Sequence, residues 1–126
     1  MIAGIGTDMV ELVRIEAVLT RHGSRFARRV LAEVEWPDFA HSRDPVRLIA
    51  KRFAAKEASA KAVGTGLRSP VLLSHLAVVH DDLGRPQWVL AEPLAAWLAE
   101  RDIHRCHLSI SDERAYCVAF VVLETD

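Results

Sequence analysis

The sequence predicts an α+β fold in which helices cover one face of a mostly antiparallel β-sheet. Apolar residues recur at helical spacing in the first half of the chain, whereas short β-rich segments separated by turn signals fill the second half. The 126 residues can form one hydrophobic core and are too few for two ordinary domains. We therefore expect residues 1–126 to form a single domain.

The N-terminal segment predicts a buried strand followed by an amphipathic helix. Residues 1–6, MIAGIG, are apolar and include two glycines, a pattern typical of a strand that another backbone or a ligand approaches closely. Asp8 follows at the predicted end of this strand. From Val10 onward the apolar residues recur at helical spacing, and Gly23 is the expected helix stop.

The middle of the chain predicts an irregular helical stretch and then the longest helix. Residues 24–40 are helical in pattern but are interrupted by Pro37. Asp44 and Pro45 then supply an N-cap and a first-turn proline, and Gly64 can adopt the left-handed conformation that ends a helix. The central helix is therefore expected between Asp44 and Gly64.

The second half of the chain predicts a hairpin, a short helix and two further strands. Residues 76–80 and 87–90 flank DDLGRP, whose Asp, Gly and Pro favour a turn. Pro93 begins an amphipathic helix, and HLSIS alternates like a half-buried strand. The continuous apolar run AYCVAFVVLE predicts a strand that is buried on both faces.

Composition and charge favour a cytoplasmic protein that binds neither nucleic acid nor membranes. The chain has 16 basic and 17 acidic side chains, so it carries no overall positive charge for a polyanion. No basic segment precedes an apolar run at the N-terminus, and the longest apolar run is far shorter than the roughly 20 residues of a membrane span. Cys106 and Cys117 lie in apolar segments, where free thiols are expected.

Glu57 interrupts the apolar stripe of the central predicted helix, beside Phe53. One interpretation is a salt bridge with Lys61 at i,i+4, worth about 0.3–0.5 kcal/mol. The other is a phosphate site, in which Glu57 binds Mg²⁺ while Lys61, with Arg52 and Lys56 nearby, meets phosphate oxygens. The residues alone leave both interpretations open.

Other candidate residues are individually weak signals. Asp8 is the best second magnesium ligand, although it also suits the N-cap of the following helix. The sequence Gly64-Thr65-Gly66 loosely resembles a phosphate loop, but such a segment more often ends a helix. His107 is more often structural than catalytic at such a position. A basic patch lies at the junction of the first two helical segments. It is either an ordinary solvated surface or a binding surface for an acidic partner.

Four segments taken together resemble the holo-acyl carrier protein synthases, the small class of 4′-phosphopantetheinyl transferases. They are GIGTDMVELVRIE, RFAAKEASAKAVGTG, LGRP and HLSISDERAYCVAFVVLE, and they cover nearly the whole chain. The resemblance implies the fold of that family, and transfer of 4′-phosphopantetheine from coenzyme A to a serine of apo-acyl carrier protein in support of fatty acid biosynthesis. It further implies a Mg²⁺ requirement, release of adenosine 3′,5′-bisphosphate, and a homotrimer with sites between neighbouring subunits.

The resemblance also assigns roles by position in the motifs. Asp8 and Glu57 match the magnesium ligands, and Lys61 matches the lysine that meets the coenzyme A pyrophosphate, which makes Glu57 and Lys61 the expected catalytic residues. Positions that line the nucleotide site are matched by Arg52, Lys61, Gly64, Thr65, Gly66, Pro86 and His107. The expected contacts to the acidic carrier protein are Arg14, which matches a family position, and the patch residues Arg21, Arg25 and Arg28. Asp112 stands where one branch of the family has histidine, so no histidine role is transferred to it.

The expected mechanism is attack of the carrier serine on the β-phosphorus of coenzyme A. Mg²⁺ and Lys61 would neutralise the charge that develops on the phosphate oxygens, and Glu57 is the nearest candidate to accept the serine proton. Two alternatives use the same residues. A small Mg²⁺-dependent phosphohydrolase would use water as the nucleophile, and a non-catalytic α+β binding module would keep Glu57 and Lys61 only as a salt bridge.

Overall fold

Helices and strands occupy most of the chain in the computed structural model, which describes residues 1–126. Five α-helices and five strands follow one another in the order β1 Ile2–Glu11, α1 Leu12–His22, α2 Ser24–Val30, α3 Trp36–Ala40, α4 Pro45–Val63, β2 Leu76–His80, β3 Pro86–Leu90, α5 Glu92–Glu100, β4 Ile103–Asp112 and β5 Tyr116–Thr125. Two single 3₁₀ turns, Glu33–Glu35 and Leu73–His75, precede α3 and β2.

The main sheet has three antiparallel strands in the order β1-β5-β4, and β2 pairs with β3 in a separate hairpin. Helix α4 packs across β1 and β5, and α1 packs against α4. The predicted α+β architecture, with helices on one face of an antiparallel sheet, is therefore confirmed. The hairpin and the helix that contains Pro93 are confirmed as well. None of the helices combines the length and the apolar character that crossing a bilayer requires.

The opposite face of the main sheet has no helix over it. Ile5, Met9 and Phe120 are 60%, 64% and 45% exposed there. Strand β5 therefore alternates between buried residues such as Val121 and exposed residues such as Phe120, and the prediction that it is buried on both faces is wrong for one chain. The sequence suggested two buried faces because both faces of β5 carry apolar residues.

Helix α4 begins and ends where the sequence predicted. The Asp44 carboxylate accepts a hydrogen bond from the backbone N–H of Arg47 at 3.1 Å, and Pro45 occupies the first turn. At the other end, Gly64 has φ of 90°, the left-handed conformation that glycine adopts without strain. The helix is buried on most sides, and its many small residues allow close packing on the sheet.

Two glycines of β1 let α4 lie directly against the strand. A β-carbon at Gly4 would lie 2.0 Å from the carbonyl oxygen of Ala62, and one at Gly6 would lie 2.0 Å from that of Ala58. Any side chain at either position would overlap the helix backbone. The prediction that another backbone approaches this strand closely is thus confirmed, and that backbone belongs to α4.

Strand β1 is longer than predicted. It continues to Glu11, and Asp8 pairs in register with Ala119 of β5, so Asp8 lies inside the strand rather than at its end. Helix α1 accordingly begins at Leu12 with Glu11 at its N-cap, and the alternative role of Asp8 as a helix N-cap is wrong. The strand extends this far because β5 offers paired backbone along its whole length.

Candidate active site

Strand β1 and helix α4 bring Asp8, Glu57 and Lys61 together. Asp8 points to the same face of β1 as Gly4 and Gly6 because side chains alternate along a strand. The close contact at the two glycines therefore places Asp8 beside α4. The Lys61 ammonium donates to Asp8 Oδ1 and to the carbonyl oxygen of Thr7, each at 3.1 Å.

Glu57 lies one helical turn before Lys61 and is only partly buried. Burial raises the pKa of its carboxyl group, the negative charge of Asp8 raises the pKa further, and Lys61 lowers it by a smaller amount. Asp8 and Glu57 are thus close enough to repel each other. A divalent cation between the two carboxylates would remove this repulsion.

The arrangement rules out the simple salt-bridge interpretation of Glu57. Lys61 pairs with Asp8, and the ion pairs of the structure do not include one between Lys61 and Glu57. The Asp8 side chain is 16% exposed and that of Lys61 is 56% exposed, so the lysine is open to an incoming anion. The residues fit Mg²⁺, which is commonly held by one or two carboxylates together with waters and substrate phosphates.

A second group of predicted residues lines a cavity of about 640 Å³ beside the first half of α4. Arg52 and Pro86 belong to it, whereas Asp8, Glu57 and Lys61 do not. Its charged and titratable lining side chains include Asp38, Arg47, Lys51, Arg52, His80 and Asp112. Within one chain, Arg52 and Pro86 are therefore separated from the predicted magnesium ligands.

Most arginine and lysine side chains at the wall of this cavity are paired with acidic ones. Arg47 and Arg52 are both paired with carboxylates, but Lys51 takes part in none of the ion pairs. Burial lowers the pKa of His80, and the positive charges of Arg52 and Lys51 lower it further. Lys51 is therefore the wall cation that is free to meet an anion.

Asp112 has a structural partner in this cavity. Its Oδ2 accepts a hydrogen bond from Arg47 Nη1 at 2.8 Å, and the same nitrogen donates to the carbonyl oxygen of Glu113 at 2.8 Å. Arg47 also reaches Asp44 at 3.3 Å, at the start of α4. The pair of Asp112 with Arg47 thus fastens the turn between β4 and β5 to the N-terminus of α4.

The remaining predicted nucleotide-binding residues lie elsewhere on the chain. His107 is exposed on β4, with its Nε2 2.5 Å from Glu124 Oε1, and lines a separate cavity of about 740 Å³ between β3 and β4. The segment Gly64-Thr65-Gly66 follows the last turn of α4, and both glycines have positive φ. Within one chain, the structure does not bring these residues together with Arg52.

The predicted carrier-binding residues are accessible. All four are exposed on α1 and α2 and form none of the ion pairs in the structure: Arg14, Arg21, Arg25 and Arg28. Their positive charges are therefore not neutralised within the chain.

Two buried charged residues were not identified correctly from the sequence. Glu35 was not among the candidates, and Lys56 was expected to face phosphate. Both side chains are fully buried, and Lys56 Nζ donates to Glu35 Oε1 at 2.5 Å and to the carbonyl oxygen of Val30 at 2.6 Å. The prediction for Lys56 is wrong because its ammonium has two protein acceptors. The only sequence signal for Glu35 is its position between apolar residues in VEW.

Comparisons with known proteins match nearly the whole chain. The family model described as the 4′-phosphopantetheinyl transferase superfamily matches residues 4–121. The holo-[acyl-carrier-protein] synthases of Laribacter hongkongensis and Nitrosomonas europaea are 57% and 55% identical over 124 residues, covering 98% of this chain and 99% of each relative.

Solved structures show the same similarity. The holo-[acyl-carrier-protein] synthase of Neisseria meningitidis aligns with a TM-score of 0.97 and 47% identity, over 99% of this chain and 100% of the other. The Bacillus anthracis synthase, in complex with CoA (3′,5′-ADP), aligns with a TM-score of 0.84 and 38% identity, over 100% and 99% of the two chains. The chain belongs to the 4′-phosphopantetheinyl transferase superfamily and, within it, to the holo-[acyl-carrier-protein] synthases.

Proposed function

We propose that this chain transfers the 4′-phosphopantetheine group of coenzyme A to a serine of apo-acyl carrier protein. The products are holo-acyl carrier protein and adenosine 3′,5′-bisphosphate, and the reaction supports fatty acid biosynthesis in the cytoplasm. The convergence of Asp8, Glu57 and Lys61 carries this proposal. Structures of the Bacillus anthracis and Helicobacter pylori relatives with bound coenzyme A support the choice of donor.

Asp8 and Glu57 would hold Mg²⁺ in this reaction. The two carboxylates repel each other, and hard oxygen ligands of this kind are what Mg²⁺ prefers. When bound, Mg²⁺ supplies positive charge that polarises the phosphoryl oxygens and stabilises the charge that develops on them.

The chain's own residues supply the remaining chemistry. The serine oxygen forms a bond to the β-phosphorus of coenzyme A, and the bond from that phosphorus to the bridging oxygen breaks, so that this oxygen leaves with the nucleotide. The exposed ammonium of Lys61 neutralises negative charge on the diphosphate. Glu57, the carboxylate one helical turn before Lys61, accepts the serine proton.

The active site would be completed between copies of the chain in a homotrimer. Arg52 and Pro86 line a cavity that Asp8 and Glu57 do not reach, so a second copy must supply the nucleotide-binding half of the site. The uncovered face of the main sheet, with Ile5, Met9 and Phe120 exposed, is an apolar surface that other copies would bury.

The acidic carrier protein would bind at α1 and α2. Four exposed arginines there have no ion-pair partner within the chain, and their charge can steer an acidic protein although the net charge of the chain is -1: Arg14, Arg21, Arg25 and Arg28.

Mass spectrometry of the carrier protein tests the proposed function. We expect incubation of the chain with coenzyme A, Mg²⁺ and apo-acyl carrier protein to add one phosphopantetheine group to the carrier. A carrier whose acceptor serine is replaced by alanine is the matched control and should gain no mass. Nucleotide release without a mass gain would instead support a phosphohydrolase, and the absence of both would support a binding module.

A further inference from the structure

Glu35 is a fully buried carboxylate that connects three parts of the fold. Its Oε1 accepts hydrogen bonds from Lys56 Nζ at 2.5 Å and from the backbone N–H of Ala32 at 2.8 Å. Its Oε2 accepts from Arg52 Nη1 at 2.9 Å and from the backbone N–H of Val78 at 3.1 Å. Four donors nearly fill the acceptor capacity of one carboxylate, which fixes its position relative to α4 and β2.

Among these four donors, only Arg52 also lines the cavity of about 640 Å³. Its Nη1 binds Glu35, and its Nη2 binds Asp38 Oδ2 at 3.2 Å. A guanidinium has five N–H groups, so three remain without a carboxylate partner. The Arg52 side chain is only 6% exposed, and its small exposed part contributes to the wall of the cavity.

We infer that Glu35 is a positioning residue that holds the Arg52 guanidinium at the cavity wall, with N–H groups left free for a phosphate of coenzyme A. The identity of the anion rests on the proposed function. Arginine has many rotamers, and a guanidinium held by two carboxylates loses most of them before a ligand arrives. Less rotamer freedom then remains to be lost on binding, which strengthens binding.

Lys56 provides a matched control for this role of Glu35. It binds the same carboxylate and is equally buried, but it does not line the cavity. Burial lowers the pKa of Lys56, whereas the charge of Glu35 and its hydrogen bond raise it. In a Glu35→Gln variant Lys56 can therefore lose its proton, but Arg52 stays charged and is held only by Asp38.

The experiment compares Glu35→Gln with Lys56→Met. Binding of adenosine 3′,5′-bisphosphate without metal is measured by calorimetry, KM for coenzyme A and kcat are measured in the transfer assay, and Tm reports stability. For Glu35→Gln we expect Kd and KM to rise about tenfold, equivalent to about 1.4 kcal/mol, with little change in kcat. For Lys56→Met we expect a lowered Tm with Kd and KM close to the wild-type values.

Arg52→Lys keeps the ion pair with Glu35 but loses the planar fork, and it should also raise Kd about tenfold. Equal effects of Glu35→Gln and Lys56→Met on Kd would overturn the inference, because a purely structural role moves both alike. If Glu35→Gln does not fold, unchanged nucleotide binding in Arg52→Lys and Arg52→Met overturns it. If the wild-type chain transfers phosphopantetheine, the proposed function stands whichever result the variants give. If the wild-type chain neither binds the nucleotide nor transfers the group, both the proposed function and the role of Glu35 are contradicted.

Discussion

Glu57 and Asp8 show how a pair of like charges can be retained at the surface of a folded chain. Each carboxylate is partly shielded from water, and Lys61 forms an ion pair with Asp8 alone. Glu57 consequently remains the less compensated of the two acids. Such a residue lowers stability in the absence of a ligand and contributes binding energy when a cation arrives.

Replacing Glu57 with glutamine should therefore stabilise the metal-free chain. The pKa of Glu57 is higher in the folded chain than in the unfolded chain. At pH values between the two pKa values the native state therefore binds more protons than the unfolded state. The contribution of Glu57 to stability consequently falls as the pH rises through this range. We expect Glu57→Gln to raise the free energy of unfolding at pH 7 by about 0.5 kcal/mol, a modest value because solvent screens this partly exposed group.

Urea denaturation from about pH 4.5 to 7.5 in EDTA measures this effect, starting near the ordinary glutamate pKa. Addition of Mg²⁺ should then stabilise the wild-type chain more than the variant, and the variant should lose transfer activity by orders of magnitude. A Glu57→Gln chain that is less stable than wild type at every pH would contradict the repulsion between Glu57 and Asp8.

The sequence could point to the proposed catalytic residues but not to the buried charged pair. Asp8, Glu57 and Lys61 lie in motifs that resemble a family, and the structure brings them together as that resemblance implied. Glu35 and Lys56 are 21 positions apart, and nothing in either local pattern shows that a carboxylate and an ammonium meet inside the core. Both become buried where the 3₁₀ turn that contains Glu35 meets α4 and β2.

The contact between β1 and α4 determines the geometry of the candidate active site. Gly4 and Gly6 leave no side chain between the strand and the helix, so the two backbones touch. Asp8 follows on the same face of β1, and Glu57 and Lys61 lie on the part of α4 that this contact brings near. A change in the separation of β1 and α4 would move the two proposed magnesium ligands apart.

The variant Gly6→Ala tests this dependence. Its new β-carbon would meet the carbonyl oxygen of Ala58 at 2.0 Å, so the strand and the helix must separate. We expect a loss of about 1–3 kcal/mol in the free energy of unfolding, the usual cost of overpacking, together with weaker Mg²⁺ binding. Calorimetric Mg²⁺ titration and urea denaturation measure the two effects.

Gly23→Ala is the control for the glycine substitution. Gly23 has φ of 57°, and a β-carbon there would meet nothing within 4 Å. Its ψ of -139° places it outside the left-handed helical region, in a conformation that is nearly restricted to glycine, so this variant should lose about 1–3 kcal/mol through backbone strain while its Mg²⁺ affinity stays unchanged. Equal Mg²⁺ affinities in Gly6→Ala and Gly23→Ala would show that the strand–helix contact does not set the distance between the ligands.

Element boundaries were predicted well where capping residues mark them and poorly where tertiary pairing decides. Asp44 and Gly64 bound α4 as expected because a cap and a left-handed glycine are local signals. The start of α1 was placed two residues early, since helical spacing from Val10 competes with pairing of β1 to β5. That pairing depends on residues more than 100 positions away in the chain.

At the scale of the whole molecule, one chain presents two separate halves of the proposed site. The proposed magnesium ligands lie at the junction of β1 and α4, and the cavity that Arg52 lines begins near the other end of α4. The uncovered sheet face could not be predicted, since a one-dimensional apolar pattern does not show whether the second face of β5 meets its own chain or another copy.

Mixing two inactive variants tests whether copies share a site. Glu57→Gln removes one half and Arg52→Met the other, so a mixed assembly contains some sites in which both halves are intact. With random exchange of subunits, about a quarter of the sites should be intact, and transfer at low coenzyme A should approach a quarter of the wild-type rate.

The matched control is an equal mixture of wild-type chain and the double variant that carries both Glu57→Gln and Arg52→Met. The activity of this mixture should fall from half to about a quarter of the wild-type rate after subunit exchange. The two mixtures should thus converge on the same rate. If each chain held a complete site, the first mixture would stay near the mean of its inactive parents and the second would stay at half.

Helix α4 packs directly on the backbone of β1 at Gly4 and Gly6, and this contact affects how far homologous sequences can diverge. Peptide groups, whose dimensions are the same in every protein, set the separation between the two acidic side chains. Apolar residues elsewhere in the interior can then be exchanged for others of different shape without altering that separation. Homologues that keep the two glycines are free to vary much of their interior and still present the same pair of acids.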